Sequence, residues 1–306
     1  MPEALNNVVV AGGSGLVGRA LVAALAREGA RVSVLSRTPA AVLDLPAGAT
    51  ARSWEDLAEV LEGADAVINL CGEGIADRRW TPARKKLLLS SRLEPTGRLV
   101  AAMATLKAPP RVLVNASAVG FYGPMDGRPV AETQGPGQGF LADLCRKWEA
   151  AAAAAAVHGV RVVQMRTGIV LARDGGALPK LAFPVRIFQG TRLGDGQQGF
   201  SWIHLDDLVR LFLAAAGNPA YAGAVNATAP RPTSNETFTR AVARRLKRPL
   251  LPLPAFLTRA ALKLLLGEMA EEMLLQGAFV YPVKAESLGF TFLYPQAEAA
   301  LADLLT

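Results

Sequence analysis

The clearest indication of a binding function in this sequence is a set of three regularly spaced glycines, Gly12, Gly15 and Gly18. They follow an apolar run typical of a buried strand and open a helical pattern that Gly29 closes. Glycine there permits a tight turn, close approach of the backbone to a pyrophosphate, and close packing of helix on strand, while the first N–H groups of the helix face the phosphates. We therefore predict a dinucleotide site, with a glycine-rich turn that binds nothing as the alternative. Its residues are Gly12, Gly13, Ser14, Gly15, Leu16, Val17 and Gly18.

The end of the second predicted strand carries Ser36 and Arg37. This place lies about 20 residues after the glycine turn, where NAD enzymes use an acidic residue to bind the ribose 2′-hydroxyl. A carboxylate would repel a 2′-phosphate, whereas a guanidinium and a hydroxyl bind it. The pair therefore predicts NADP(H) rather than NAD(H), and a solvated surface arginine is the alternative.

A further buried strand, over residues 65–70, ends in a turn of mostly small residues, Leu70-Cys71-Gly72-Glu73. Such strand ends lie beside the adenosine and ribose of a bound dinucleotide in doubly wound folds, so we predict cofactor contacts from these residues. A basic helix is predicted over residues 82–103. We interpret Arg84, Lys85 and Lys86 as its solvated face, and set Arg92 apart because it follows a serine pair in mid-helix.

Composition bounds the class of protein. The chain has 306 residues, 51% of them hydrophobic, which suffices for a large α/β core. Two cysteines, Cys71 and Cys145, make no disulfide framework, and the sequence has neither a signal peptide pattern nor an apolar span long enough for a membrane, so we expect a cytoplasmic protein. The net charge of +7 suits anionic small molecules. We expect no nucleic-acid partner because the arginines are scattered.

The second half of the chain is predicted to return to the same sheet. Residues 160–171 are interpreted as one strand with Arg166 at its cofactor end, and His204 as a packed histidine. Asp206 and Asp207 suit a helix start better than a metal pair, so no metal is expected. Helices are predicted near residues 235–246 and 254–276, the second an amphipathic helix packed on the core. The prediction is a Rossmann-type doubly wound parallel sheet over residues 1–175 and 200–230, with a smaller, mostly helical lobe for the substrate over residues 176–199 and 231–306.

Ten short motifs along the chain fit one known pattern. They occupy residues 12–18, 65–70, 79–80, 91–92, 116–123, 140–142, 148–149, 166–168, 200–207 and 266–269. The chain resembles the atypical extended short-chain dehydrogenases/reductases called the epimerase family, or predicted nucleoside-diphosphate sugar epimerases, which end in a small domain of unknown function. The resemblance implies NADP binding through Ser36, Arg37, Leu70, Cys71 and Arg92. It also implies that Ser117, which we predict as a cofactor contact too, polarises the oxygen of a substrate.

The proton-handling pair of that superfamily, Tyr-x-x-x-Lys, is missing. Alignment on Glu149 puts Leu141 at the tyrosine position and Cys145 at the lysine position, and none of the four tyrosines has lysine four residues on. Tyr122 is the predicted substitute proton donor, with Glu73 and His204 as further candidates. An unassisted tyrosine has a pKa near 10 and is a slow base at neutral pH, so any chemistry should run towards reduction.

Two functions remain open from the sequence. One is an NADPH-dependent reductase or epimerase acting on a small or nucleotide-linked substrate, as a monomer or homodimer. The other is an inactive NADPH sensor or scaffold; a plant member of the resembling family is linked to plastid division, which suggests a role in cell division. The epimerase label rests on fold ancestry more than on chemistry.

Overall fold

The computed structural model, which describes residues 3–42, 44–125 and 127–305, alternates strands and helices along most of the chain. The strands are β1 (Asn7–Ala11), β2 (Arg31–Ser36), β3 (Ala49–Ser53), β4 (Ala66–Asn69), β5 (Val112–Ala118), β6 (Pro129–Val130), β7 (Arg161–Thr167), β8 (Ile169–Ala172), β9 (Gly175–Gly176), β10 (Gly199–Phe200), β11 (Trp202–His204), β12 (Gly223–Ala227), β13 (Thr233–Ser234) and β14 (Phe279–Val280). The helices are α1 (Leu16–Arg27), α2 (Leu57–Leu61), α3 (Pro82–Met103), α4 (Phe140–Ala153), α5 (Leu178–Arg186), α6 (Leu205–Gly217), α7 (Asn235–Leu246), α8 (Ala255–Leu266), α9 (Glu268–Ala270), α10 (Val283–Ser287) and α11 (Ala297–Leu304). Short 3₁₀ turns cover Pro39–Ala41, Trp54–Asp56, Val119–Tyr122 and Ala154–His158, and a π turn covers Glu271–Leu275.

Seven strands form one parallel sheet in the order β12-β7-β5-β4-β1-β2-β3. The chain starts at β1, runs outward through β2 and β3, and then crosses back to β4 on the other side of β1. The strand order therefore reverses at β1, and the carboxyl end of β1 opens into the crevice where such sheets bind ligands. The predicted doubly wound α/β fold with a helical C-terminal region is confirmed.

Both faces of this sheet are covered by helices. Val8 and Val10 of β1 pack with α1 and α6 on one face, and Val9 and Ala11 pack with α2 and α3 on the other. Side chains of a strand alternate between faces, so a strand covered on both sides must be apolar throughout, as β1 is. The continuous apolar runs in the sequence follow from this double burial.

The predicted strand over residues 160–171 is wrong, because it is two strands. β7 lies between β5 and β12 in the main sheet, whereas β8 pairs with β9 and β11 outside it. Gly168 joins them where the chain passes another segment so closely that a Cβ atom would lie 2.7 Å from the carbonyl oxygen of Ser201. Apolar periodicity alone does not reveal such a turn.

The late apolar segment also differs from the prediction of one amphipathic helix packed on the core. Gly267, with φ +62°, separates α8 from α9, and this backbone conformation favours glycine. In α8 only Thr258 is buried, while Phe256 and Leu264 are 69% and 79% exposed. The predicted helix over residues 235–246 is confirmed as α7. No helix in the described part of the chain has both the length and the hydrophobicity to cross a membrane.

Candidate functional site

The glycine turn after β1 gives each of its three spaced glycines a different task. Gly12 has φ +82°, and a Cβ atom on it would lie 2.8 Å from the carbonyl carbon of Leu70. A Cβ atom on Gly18 would lie 2.3 Å from the carbonyl oxygen of Gly12, so α1 can pack on the turn only without one. On Gly15 the nearest atom would be 3.5 Å away, so that position is open to a ligand. Among the described residues no side chain caps α1, and its first N–H groups are free to bind an anion.

This geometry predicts opposite outcomes for two similar substitutions. Gly15→Ala should change the free energy of unfolding by no more than about 1 kcal/mol, because φ is −74° and space is available. It should nevertheless weaken NADPH binding, because a methyl group would project where the pyrophosphate approaches the backbone. Gly18→Ala should lower stability by about 2–3 kcal/mol, since the clash is with backbone. Urea unfolding and NADPH titration measure both effects, and equal stability losses would contradict the assignment.

The end of β2 presents a cation with no carboxylate beside it. The hydroxyl of Ser36 accepts a hydrogen bond from the N–H of Thr38 at 3.1 Å, and Arg37 is exposed. Within the described residues Arg37 has no ion-pair partner, and it lies near enough to Cys71 to oppose the rise in the pKa of that thiol. Ser36 and Arg37, at the end of β2, therefore lie at the same carboxyl edge of the sheet as Cys71.

The turn after β4 is held against α3 by arginines. The N–H of Glu73 donates to the hydroxyl of Ser91 at 3.0 Å, and Nη2 of Arg92 donates to the carbonyl of Glu73 at 3.0 Å. A Cβ atom on Gly72 would lie 2.9 Å from Cζ of Arg92, so glycine makes room for the guanidinium. Nε of Arg92 is buried and has no hydrogen-bond partner in the structure, and burial lowers the pKa of this side chain. The unused donor faces the cluster that was predicted to contact the cofactor.

The predicted solvated face of α3 is wrong for two of its three residues. Arg84 lies against the turn, with Nη1 3.1 Å from a carboxylate oxygen of Glu73 and Nη2 2.7 Å from the carbonyl of Gly74. Lys85 pairs with Glu268 and lies 4.9 Å from the ring centroid of Phe140. Lys86 is exposed, as predicted. The helix faces the C-terminal region here, and sequence periodicity cannot reveal such a long-range partner.

A buried amide network beneath the carboxyl edge was not predicted. The side-chain amide of Asn69 donates to Thr96 at 2.8 Å and to Asn115 at 2.7 Å, and its oxygen accepts the N–H of Cys71 at 3.2 Å. The indole of Trp148 donates to Thr96 at 3.0 Å. The network joins β4, β5, α3 and α4 and fixes the turn at Cys71. The only signal in the sequence is an asparagine at the end of each of two apolar runs.

A second buried network surrounds Ser117. Its hydroxyl donates to Oε1 of Glu149 at 2.7 Å. The Arg166 guanidinium holds both carboxylate oxygens of Glu149 through Nε and Nη2, each at 2.9 Å. Ser117 is only 4% exposed, and Arg166 is buried as well. The structure thus places Arg166 in a bidentate ion pair that positions the ends of β5, β7 and α4, instead of exposing it to a cofactor as predicted.

Tyr122 does not fit the predicted role of proton donor. Its side chain is fully buried, and its hydroxyl donates to Asn226 at 2.6 Å while accepting from Nη1 of Arg166 at 3.0 Å. Burial raises its pKa. A hydroxyl with both roles taken and no path to solvent stabilises the fold and does not reach a substrate.

The positions of the missing pair are apolar. Leu141 packs on Gly120, where a Cβ atom would lie 3.1 Å from the leucine Cβ. Cys145 is buried beside Ser117, and burial raises the pKa of its thiol to about 11. Neither side chain can exchange a proton at neutral pH, because leucine has no ionisable group and the thiol stays protonated. Burial likewise raises the pKa of Cys71 to about 12, so it is not a thiolate.

A carboxylate from the C-terminal region binds the start of α4. Glu272, in the π turn, accepts the N–H groups of Phe140 and Leu141, each at 2.9 Å. Two N–H groups at a helix N-terminus stabilise a carboxylate, so Glu272 caps α4 beside the position where the tyrosine is missing. More than a hundred residues separate Glu272 from α4, so sequence reasoning had no means of finding this contact.

His204 is a packed histidine, as predicted. It is 2% exposed, its Nδ1 accepts the N–H of Asp206 at 3.1 Å, and its ring stacks on Tyr294. Asp207 accepts the N–H groups of Leu293 and Tyr294. Within residues 3–42, 44–125 and 127–305, no three histidine, cysteine, aspartate or glutamate side chains converge as metal ligands would.

Two family models match separate segments of the chain. A family model described as NAD dependent epimerase/dehydratase family matches residues 8–227, and one described as Domain of unknown function (DUF1731) matches residues 257–304. Epimerase family protein ML0860 of Mycobacterium leprae is 40% identical over 301 residues, which cover 98% of this chain and 95% of that protein. The chloroplastic SDR39U1 homolog of Arabidopsis thaliana is 39% identical over 312 residues, covering 99% and 88%. The crystal structure of human epimerase family protein SDR39U1 (isoform 2) with NADPH superposes with a TM-score of 0.85 at 32% identity, covering 97% of this chain and 98% of that one.

Proposed function

Because the chain belongs to the NAD dependent epimerase/dehydratase family, we propose that it binds NADPH at the carboxyl edge of its main sheet and reduces a small carbonyl substrate there. The observation that carries this proposal is Arg37, an exposed cation at the end of β2 with no carboxylate partner within the described residues. A 2′-phosphate supplies the missing partner, whereas the 2′-hydroxyl of NADH does not. A human relative at 32% identity was crystallised with NADPH, which supports the choice.

The residues at this edge fit such a cofactor. The turn from Gly12 to Gly18 would hold the pyrophosphate, because Gly15 is open and the N–H groups of α1 are free. Ser36 and Arg37 would hold the 2′-phosphate. The turn over residues 70–73 would follow the nucleoside, and Nε of Arg92 would gain the partner that it lacks in the structure.

NADPH, when bound, supplies the hydride, and the chain must orient the substrate and control the proton. Ser117 is the hydroxyl that we assign to the reacting oxygen. To donate a hydrogen bond to a carbonyl it must rotate away from Glu149, and Arg166 still holds both carboxylate oxygens when it does. That rearrangement costs one hydrogen bond, about 1 kcal/mol, and leaves no buried carboxylate unpaired. Tyr122 and His204 are buried and their polar atoms already have hydrogen-bond partners, so we infer a proton from solvent and slow turnover.

A second function is favoured by Leu141 and Cys145. These apolar side chains fill the positions of the acid/base pair and are part of one packed cluster with Phe140 and Trp148. A site without proton chemistry suits a protein that binds NADPH and reports it to a partner through the C-terminal region. We propose this sensor or scaffold role as the alternative. We also infer that residues 1–175 with 200–230 form the cofactor-binding part and residues 176–199 with 231–306 the smaller lobe.

One experiment separates the two functions. The NADPH complex is incubated with pools of aldehydes, ketones and nucleotide sugars while the absorbance of the reduced nicotinamide is followed. The reductase is expected to consume NADPH with at least one pool, and Ser117→Ala should slow that reaction by about 10²-fold without weakening NADPH binding. Tight NADPH binding with no consumption by any pool supports the sensor. Failure to bind either nicotinamide dinucleotide contradicts both.

A further inference from the structure

A basic groove on the C-terminal region lies away from the residues of the cofactor edge. Its cavity, of about 920 Å³, lies between one side of α7 and the segment over residues 249–254. Five cationic side chains line it, with a single carboxylate, Glu236. The cations are Arg192, Arg240, Arg244, Lys247 and Arg248. Such an excess of one charge in a concave surface attracts an acidic ligand.

Most of this charge is available. Glu236 pairs with Arg240 at 2.7 Å and lies 3.7 Å from Arg192, so it offsets part of those two. Arg244 is 70% exposed and lies 3.6 Å from the exposed Glu298, a contact that contributes little. Lys247 and Arg248 have no carboxylate within ion-pair distance in the described residues. Arg248 is held in place over the ring of Phe188, 4.3 Å from its centroid.

The opposite wall is apolar and rigid. Three of its six residues are prolines, which fix the backbone and remove N–H donors. Leu251 donates its N–H to the carbonyl of Gly190 at 2.8 Å, and its carbonyl accepts the hydroxyl of Thr191 at 3.1 Å. The side chains of Leu251 and Leu253 remain 40% and 38% exposed. The wall therefore offers apolar contact area that is already ordered.

Lys247 adds an independent indication. It has φ +53° and ψ +47°, a left-handed conformation that glycine adopts at no steric cost and lysine at about 1 kcal/mol. Attraction between a cation and the helix C-terminus accounts for a lysine near this place, but Arg244 and Arg245 already serve that purpose in the last turn. A cation at a position that favours glycine points to a side chain with a role in binding.

We propose that this groove binds a partner protein through an extended segment in which carboxylates alternate with apolar residues. Arg240 and Arg244 are separated by about 6 Å along the axis of α7. Alternate residues of an extended chain are separated by about 6.7 Å, so one face of such a segment matches the cations while the other faces Leu251 and Leu253. An enclosed small molecule fits less well, because the two arginines are 66% and 70% exposed. A flat membrane surface would reach the rim of the concave groove and leave its floor unfilled.

The test uses fluorescence anisotropy of a fluorescein-labelled peptide of about 12 residues that alternates glutamate with leucine, valine or proline. We expect binding that weakens with added salt. Arg244→Glu and Lys247→Glu should each weaken peptide binding about tenfold. The matched charge reversal Lys86→Glu, at an exposed position of α3, should leave peptide binding unchanged. If charge reversal at the end of α7 lowers thermal stability, Arg244→Gln and Lys247→Gln replace them, with about threefold losses expected.

Several outcomes would overturn the proposal. These are no binding at low salt, equal binding of a peptide with glutamine in place of glutamate, or equal weakening by Lys86→Glu. Pyrophosphate is a further competitor. If it displaced the peptide completely at concentrations too low to screen charges in general, the groove would be assigned to a small anion instead. Salt-sensitive binding to anionic phospholipid vesicles that requires Lys247, without peptide binding, would assign it to a membrane.

Discussion

Arg37→Glu is expected to lower the affinity for NADPH by about 10²- to 10³-fold while changing the affinity for NADH by less than about threefold. The arginine carries no internal ion pair within the described residues, so a 2′-phosphate is the charge that it would neutralise. Replacement removes a charge-assisted contact and puts two negative charges side by side, for a loss of about 3–4 kcal/mol. NADH has only a hydroxyl there. Titration of each reduced dinucleotide, followed by nicotinamide fluorescence, measures the two affinities.

The control for this substitution lies on the same strand. Arg31 is exposed at the amino end of β2, at the opposite edge of the sheet, so Arg31→Glu makes the same change in net charge away from the cofactor. It should reduce NADPH affinity by no more than the general effect of charge, which added salt removes. Equal losses of NADPH and NADH affinity in Arg37→Glu would show that the 2′-phosphate binds elsewhere.

Arg166→Met is expected to lower the free energy of unfolding by about 3–5 kcal/mol. Among the described residues, the substitution leaves Ser117 as the one hydrogen-bond donor to the buried carboxylate of Glu149, and it removes a donor from the Tyr122 hydroxyl. Removing one partner of a buried ion pair lowers the free energy of unfolding by more than the intact pair contributes to it, because the remaining charge is desolvated without compensation. Chemical denaturation, with the midpoint and slope fitted together, gives the change in stability.

Two further variants test that explanation. Arg166→Met combined with Glu149→Gln should recover part of the loss, because no buried charge remains. Arg146→Met, which breaks an exposed pair with Asp143 on the same helix as Glu149, should cost less than about 0.5 kcal/mol. If Arg166→Met proved as mild as Arg146→Met, the pair would not be the element that positions Ser117.

The local parts of the fold were predictable from sequence. The apolar run before Gly12, and the helices over residues 82–103 and 235–246, depend on patterns within one element, and the structure confirms them. The glycine turn is local in part, since Gly12 has a positive φ and Gly18 meets the carbonyl oxygen of Gly12, whereas the approach of Gly12 to Leu70 is long-range. The split at Gly168 was missed because a crossing segment, not local periodicity, requires the turn.

The supporting side chains of the site were not predictable. Asn69 meets Asn115 across 46 residues and Glu149 meets Arg166 across 17, and no local pattern marks either pair. Arg84 and Lys85 were assigned to solvent because their partners lie in the turn after β4 and in the C-terminal region. Tyr122 was proposed as a proton donor because its type suited the chemistry, and only its burial showed otherwise. Residue type indicates what a side chain can do, whereas burial decides whether it can do it.

The bond from Glu272 to the first N–H groups of α4 bears on how such a chain can be inherited. One matched segment ends at residue 227 and the other begins at residue 257, yet a carboxylate of the second completes a helix of the first. If recombination replaced one segment by that of another protein, the N-terminus of α4 would lose its cap unless the new segment supplied an equivalent carboxylate. The two segments are therefore expected to be inherited together as one unit.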